Sequence, residues 1–295
     1  MALAFAVKVP LFPFHTWLPA AYVQAPIAGS ILLSAVMAKM GAYGFLRLAL
    51  PLTPDAAHFF APLIIAMSIC SILYGGLLAF AQSNLKKIVA YSSLGHMGFV
   101  ILGIFLFNLY GVQGALIQMI NHGITTGALF AMVGILYQRS GENEISGNQG
   151  LGKYVPAIMG FWGLFAFAGF AFPGTNNFVG EFLILAGAFE RNLWLGAVAV
   201  PGALLAAAYM LRPTRTMTWG EPSTATGWRD MNGREWAALL PMAFLVLYLG
   251  LMPTLCLKVM NPSLNNLIGA FQSRVPVTLL TDKNLHSKPD RGGRP

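Results

Sequence analysis

Apolar residues fall in runs of about 20, the length a helix needs to cross the hydrocarbon core of a bilayer, and polar residues gather in the short gaps between them. The pattern predicts about eight spanning helices, over residues 1–18, 27–50, 60–80, 88–107, 112–137, 155–188, 193–211 and 235–255. Two of these read as interrupted. The first contains Lys8, Pro10, Pro13 and His15 within an apolar segment. It lacks the basic start, clean apolar centre and small-residue cleavage site of a signal peptide. It reads as the remaining part of a broken helix, so the chain is expected to begin inside an element.

The second interruption lies in Phe170-Ala-Phe-Pro-Gly-Thr-Asn-Asn-Phe-Val-Gly-Glu-Phe-Leu-Ile-Leu-Ala186. Pro173 has no backbone N–H and clashes with the preceding turn, Gly174 permits backbone angles closed to other residues, and Asn176 and Asn177 are candidate caps for a new helix. In lipid, backbone freed by such a break is tolerated where protein buries it or where it lines a watery cavity. Glu181 follows one turn after the restart, between apolar residues. An acid at that depth marks function by default. The plainer reading is a carboxylate near a helix N-terminus, where negative charge is favoured anyway.

Composition agrees with a membrane protein. Hydrophobic residues make up 56% and charged residues 9%, with a mean hydropathy of +0.65; soluble domains carry about 25% charged residues. The net charge of +8 does not point to nucleic acid, because the basic residues sit in loops and in the tail, without a phosphate-binding loop. Positive loops of a membrane protein are topology signals first. Lys86, Lys87, Arg139, Lys153, Arg212, Arg215, Arg229 and Arg234 fall at one set of ends, against Arg47 and Arg191 at the other, which predicts the first side to be cytoplasmic. The chain after Lys258, ending Lys288-Pro-Asp-Arg-Gly-Gly-Arg-Pro295, reads as an irregular, basic tail. Cys70 and Cys256 lie apart without a CxxC or Cys/His cluster, so neither metal nor disulfide is expected. No flavin, nucleotide or iron–sulfur fingerprint appears, and redox chemistry is expected in other chains.

Five ionisable residues fall within separate spans: Lys8, Lys39, His96, His122 and Glu181. Singly, a lysine can snorkel and a histidine can be a hydrogen-bonded core residue. Together they suggest a polar axis, since chains of acidic, histidine and lysine residues in membranes mark proton relays. Ala35, Ala38, Gly41 and Ala42, around Lys39, allow neighbouring helices to approach closely. His15, beside Trp17, reads as an anchoring or hydrogen-bonding residue.

Several long motifs then coincide. Val7-Lys-Val-Pro-Leu-Phe-Pro-Phe-His-Thr-Trp-Leu-Pro19, Ala25-Pro-Ile-Ala-Gly-Ser30, Asn84-Leu-Lys-Lys-Ile-Val-Ala-Tyr-Ser-Ser93, His96-Met-Gly98 and Pro173-Gly-Thr-Asn-Asn-Phe-Val-Gly-Glu-Phe-Leu-Ile-Leu185 closely resemble the antiporter-like membrane subunits of respiratory complex I, of the M or chain 4 type. The resemblance runs from Met1 to about Pro253, and Mrp-type cation/proton antiporters and membrane-bound hydrogenase subunits share much of it. It implies an all-α integral membrane protein forming the C-terminal part of a fourteen-helix fold with two inverted five-helix repeats. Residues 1–50 would be the last two helices of the first repeat, 60–211 the complete second repeat, 235–255 a terminal span and 256–295 the tail.

By position, the resemblance gives Lys8 as the lysine of the first broken helix, with the break at Pro10 and Pro13, and Lys39 as the connecting lysine. It gives His96 and His122 as central-axis histidines, and Glu181 as the acid of the second broken helix, whose break is Pro173 and Gly174. It implies a proton-translocating subunit of NADH:quinone oxidoreductase in a bacterial inner membrane. FMN, iron–sulfur clusters and quinone would belong to partner subunits, and the partners would be the other membrane subunits and the peripheral redox arm. This chain departs from the family by starting within the first broken helix, and by carrying Ala20, Ala21 and Tyr22 where Asp-Ala-His is usual. A sodium/proton antiporter subunit and a transport-inactive structural piece are the alternatives.

Overall fold

Asparagines in the polar gaps start the long helices by accepting from backbone N–H groups that have no partner inside the helix. Asn84 accepts from the Lys87 N–H, Asn108 from Gly111, and Asn192 from Trp194 and Leu195. Asn232 and Glu235 cap each other reciprocally. Gly141, at φ +73°, ends the longest helix in the left-handed conformation that glycine adopts without strain.

The structure is a computed structural model that describes residues 1–221 and 227–274. Among these, all regular elements are helical. They are α1 (Ala2–Lys8), α2 (Trp17–Gln24), α3 (Ile27–Leu52), α4 (Pro54–Phe80), α5 (Leu85–Phe105), α6 (Leu109–Ser140), α7 (Pro156–Gly169), α8 (Asn176–Arg191), α9 (Leu193–Trp219), α10 (Gly233–Leu251) and α11 (Thr254–Arg274). Two short turns of 3-10 helix, Ser146–Asn148 and Leu151–Lys153, lead into α7.

Six helices among the described residues are long and apolar enough to cross a membrane singly: α3, α4, α5, α6, α9 and α10. A seventh arises if Ser146–Lys153 and α7, bent by 110°, count as one. The expected eight are not reached because the interrupted elements are short: α1 and α2 have 7 and 8 residues, α7 and α8 have 14 and 16. The chain is nonetheless a multi-pass membrane protein, with α5 and α6 at its centre. Nearly every residue of α5 is buried, whereas fewer than half of those of α9 and α10 are.

The polar ends sort as their charges suggested. Leu85 N–H donates to Asn143 O, Arg212 to Phe80 O and Gly150 N–H to Thr216 O, so Lys86, Arg139, Lys153 and Arg212 share one end of the bundle. Lys86 donates there to the carbonyls of Val23 and Ala25. At the opposite end Arg191 donates to Phe105 O and its guanidinium stands 5.8 Å from the Phe107 ring centre.

The expected irregular tail after Lys258 is in part a helix. α11 turns Met260, Leu264, Leu267, Ile268 and Phe271 towards the bundle. Phe271 stacks on Phe107 at 4.4 Å, and Asn261 accepts from Gln113 at 2.6 Å. This spacing is that of one helix face; its low overall hydropathy hid it. Residues 275–295 lie outside the described residues.

α3 carries two wider turns, Leu33–Met37 and Phe45–Ala49, where the Ala38 N–H reaches back to Leu33 O and the Leu50 N–H to Phe45 O. Such i→i+5 turns are rare and recur at functional sites. Lys39 stands between them. The small residues predicted to permit close packing do so: a Cβ on Gly41 would lie 2.7 Å from Val9 Cγ2, and one on Gly123 of α6 would lie 2.9 Å from the Ala35 carbonyl oxygen. α3 is thereby held between α1 and α6.

Candidate functional site: a buried polar chain through the bundle

Two gaps separate pairs of short helices. α1 ends at Lys8 and α2 starts at Trp17, with Pro10 and Pro13 between them. α7 ends at Gly169, α8 starts at Asn176, and Gly174 takes φ +92°. The capping differs from the sequence reading. Thr175, not Asn176 or Asn177, occupies the cap position, and its hydroxyl donates back to Phe172 O at 2.7 Å. Asn176 and Asn177 are the first helical residues, and both are fully buried. Neither Asn177 side-chain atom has a protein partner.

α8 runs antiparallel along α6, and glycines set the distance between them. A Cβ on Gly114 would stand 2.7 Å from Ile184 N and 2.8 Å from Gly180 O. That approach carries Glu181 into the centre of the bundle, where it is 2% exposed. Its Oε1 lies 2.6 Å from His96 Nδ1 of α5 and accepts from Gln118 Nε2 of α6 at 3.2 Å. Its Oε2 has no protein partner. With the proton on His96 Nδ1, the ring donates to the carboxylate, and Nε2 of the neutral ring accepts from the Tyr209 hydroxyl of α9 at 3.3 Å.

His122 extends the chain. Its ring centre is 5.0 Å from that of His96, its Nε2 is 3.0 Å from Ser93 Oγ, and it is wholly buried. His122 Nδ1 is unpartnered. Ser93 and His96 share a face of α5 one turn apart, and Gln118 and His122 share a face of α6. Three helices therefore bring together two imidazoles and a carboxylate at hydrogen-bonding or ring-contact distance. Burying ionic groups is costly unless they are paired and hydrogen-bonded, and here Glu181 Oε1 meets two donors.

Lys39 is buried and donates to Ser34 O. A cavity of about 490 Å³ lined by Lys39, Tyr43, Met119 and Gly123 opens next to it. Lys8 stands apart. It ends α1, is half-buried, and makes no side-chain hydrogen bond or ion pair among the described residues. His15 is buried, stacked at 5.7 Å on Phe12 and edge-on to Tyr74.

Residues 1–206 match the family described as NADH:quinone oxidoreductase/Mrp antiporter, TM. The chain belongs to that family. It is 44% identical over 272 residues to NADH-quinone oxidoreductase subunit M of Rhodobacter capsulatus, covering 92% of this chain and 53% of that protein. It is 40% identical to NADH-ubiquinone oxidoreductase chain 4 of Marchantia polymorpha, covering 90% and 54%. Among solved structures, respiratory complex I from Thermus thermophilus with bound NADH contains a similar chain at a TM-score of 0.87 and 34% identity, covering 92% of this chain and 57% of that one. The Mrp complex from Dietzia sp. shares the fold at a TM-score of 0.81 and 22% identity. The chain thus spans about half the length of the family members it matches.

Gln118, Tyr209, Ser93 and Asn121 were not among the residues singled out from the sequence, and Asn176 was singled out only as a helix cap. One signal was available: Gln118 and Asn121 precede His122 at positions that a helix turns to one side, within an otherwise apolar stretch.

Proposed function

We propose that this chain is a proton-translocating membrane subunit of an NADH:quinone oxidoreductase in a bacterial inner membrane, with protons passing among Lys39, His122, His96 and Glu181. The observation that carries the reading is the buried contact of His96 Nδ1 with Glu181 Oε1 at 2.6 Å, next to His122 and just after a helix break. Chains of acidic, histidine and lysine residues inside membranes mark proton relays. Each group can therefore pass a proton to the next without a bound substrate.

In this reading α1 with α2, and α7 with α8, are two discontinuous spans, which brings the count to eight. Transporter repeats place their ion sites at such breaks near the midplane. Residues 60–211 form one complete five-helix repeat, 1–50 the end of another and 235–255 a terminal span. Lys8 belongs to the first broken helix. FMN, iron–sulfur clusters and quinone reside in partner subunits, and the basic end of the bundle faces the cytoplasm. A sodium/proton antiporter subunit is the second reading, supported by the fold shared with the Mrp complex.

The test is Glu181→Gln and Lys39→Ala in the assembled complex, measuring proton uptake into vesicles per NADH oxidised. Both variants are expected to lose most of the uptake. Wild-type ratios in both would refute the reading, and sodium-dependent uptake without NADH oxidation would favour the second.

A further inference from the structure

α6 and α8 exchange hydrogen bonds through one pair of asparagines. Asn121 Nδ2 donates to the Asn176 carbonyl at 2.6 Å, and Asn176 Nδ2 donates to the Asn121 carbonyl at 3.0 Å. Thr125 Oγ1 donates to Asn176 Oδ1 at 3.1 Å. All three residues are at most 1% exposed. Each asparagine thus reads the other helix's backbone rather than its side chain, which fixes position along the axis and tolerates no sliding.

The clasp sits at one end of a series of contacts that rises along α8 as it falls along α6. Asn121 meets Asn176, Gln118 meets Glu181, Gly114 meets Ile184, and Asn108 donates to Gly187 O. A slip of one residue would move Glu181 by about 1.5 Å relative to α6. The 2.6 Å contact with His96 could not survive it. The glycine contacts set how near the helices lie, but smooth glycine surfaces do not oppose a slide. The clasp also holds the carbonyl of the residue just before His122.

We propose that Asn121, Asn176 and Thr125 are positioning residues, a backbone-reading clasp that sets the axial register of the broken helix so that Glu181 meets His96 and Gln118. The inference rests on the proton-path reading above. Asn176→Ala and Asn121→Ala, in the complete respiratory complex containing this chain, are expected to lower proton uptake per assembled complex by about ten- to a hundredfold, the range a 1 Å misplacement commands. The double variant should lose no more than either single one, because they act as one unit. Thr125→Val, isosteric and the least disruptive to folding, should show a smaller loss that Thr125→Ser restores.

Assembly is followed by native gel electrophoresis, and uptake by a pH-sensitive dye in vesicles oxidising NADH. The proposal is overturned if uptake per assembled complex is unchanged, if the double variant loses the product of the single effects, or if Thr125→Ser fails to restore what Thr125→Val removes. Glu181→Gln run alongside separates the two levels of argument. Wild-type uptake in that variant removes the proton path itself, whereas its loss together with unaffected clasp variants removes only the clasp.

Discussion

Gly114→Ala adds one methyl group where the backbones of α6 and α8 approach closely. The new Cβ would stand 2.7 Å from Ile184 N and 2.8 Å from Gly180 O, where carbon contacts prefer about 3.5–4.0 Å. Both opposing atoms are backbone, so the helices must part by about 0.7 Å or more. Overpacking of this kind costs about 1–3 kcal/mol, and the higher helix propensity of alanine returns about 1 kcal/mol. The net is a loss of up to about 2 kcal/mol. Gly160→Ala supplies the control, because Gly160 is exposed on α7 and a Cβ there meets nothing within 4 Å; it should be neutral or stabilising by up to about 1 kcal/mol. The assay is unfolding of the chain in mixed detergent micelles, followed by helix content. The same parting would draw Glu181 away from His96, stretching 2.6 Å beyond the 2.7–2.9 Å typical of charge-assisted bonds, so uptake per assembled complex should fall as well. Equal stability of the two alanine variants would refute the packing argument, and lost stability with unaltered uptake would refute the link to Glu181.

Other perturbations address the basic end of the bundle. Arg139 holds Glu235 with two bonds of 2.8 Å and also donates to the carbonyls of Arg229 and Asp230. Arg139→Leu should destabilise by about 1–3 kcal/mol, since it leaves the largely buried Glu235 carboxylate with the Asn232 N–H as its remaining partner, and Arg139→Leu with Glu235→Leu should recover part of that in the same unfolding assay. Asp230 accepts from the Ala157 and Ile158 N–H groups at the start of α7; Asp230→Ala should cost about 1–2 kcal/mol and speed proteolysis near residue 230. Asn84→Ala removes the cap on α5 and should cost about 1 kcal/mol, visible as a lower midpoint in the same titration.

Much of this was open to reading from residues alone, for identifiable reasons. A spanning helix announces itself by length and hydropathy, and Pro173 with Gly174 can end one in only a few ways. Glu181 was conspicuous because carboxylates are rare at that depth. Its partner was not: His96 lies 85 residues away, and only the antiparallel register of α6 and α8, with α5 alongside, brings the two within 2.6 Å. Amides were harder still, because buried asparagine and glutamine change no charge count, yet Asn121, Asn176 and Gln118 set the geometry. α11 was missed because its apolar face is diluted by polar residues, so average hydropathy conceals what periodicity carries. The i→i+5 turns of α3 have no sequence signature, since the same residues would serve an ordinary helix.

Those two turns in α3 have a consequence for how the element tolerates change. Each accommodates an extra residue, and one residue corresponds to about 100° of helical rotation. α3 therefore presents three differently phased faces in succession: one before Leu33, one from Ala38 to Gly44 that holds Lys39 inward, and one after Ala49. Removing a single residue at the first wide turn would let it close into an ordinary turn and keep Lys39 inward, whereas removing one from an ordinary turn between Ile27 and Leu32 would swing Lys39 off that bearing. In this helix the count of residues, as much as their kind, decides which way a charge points.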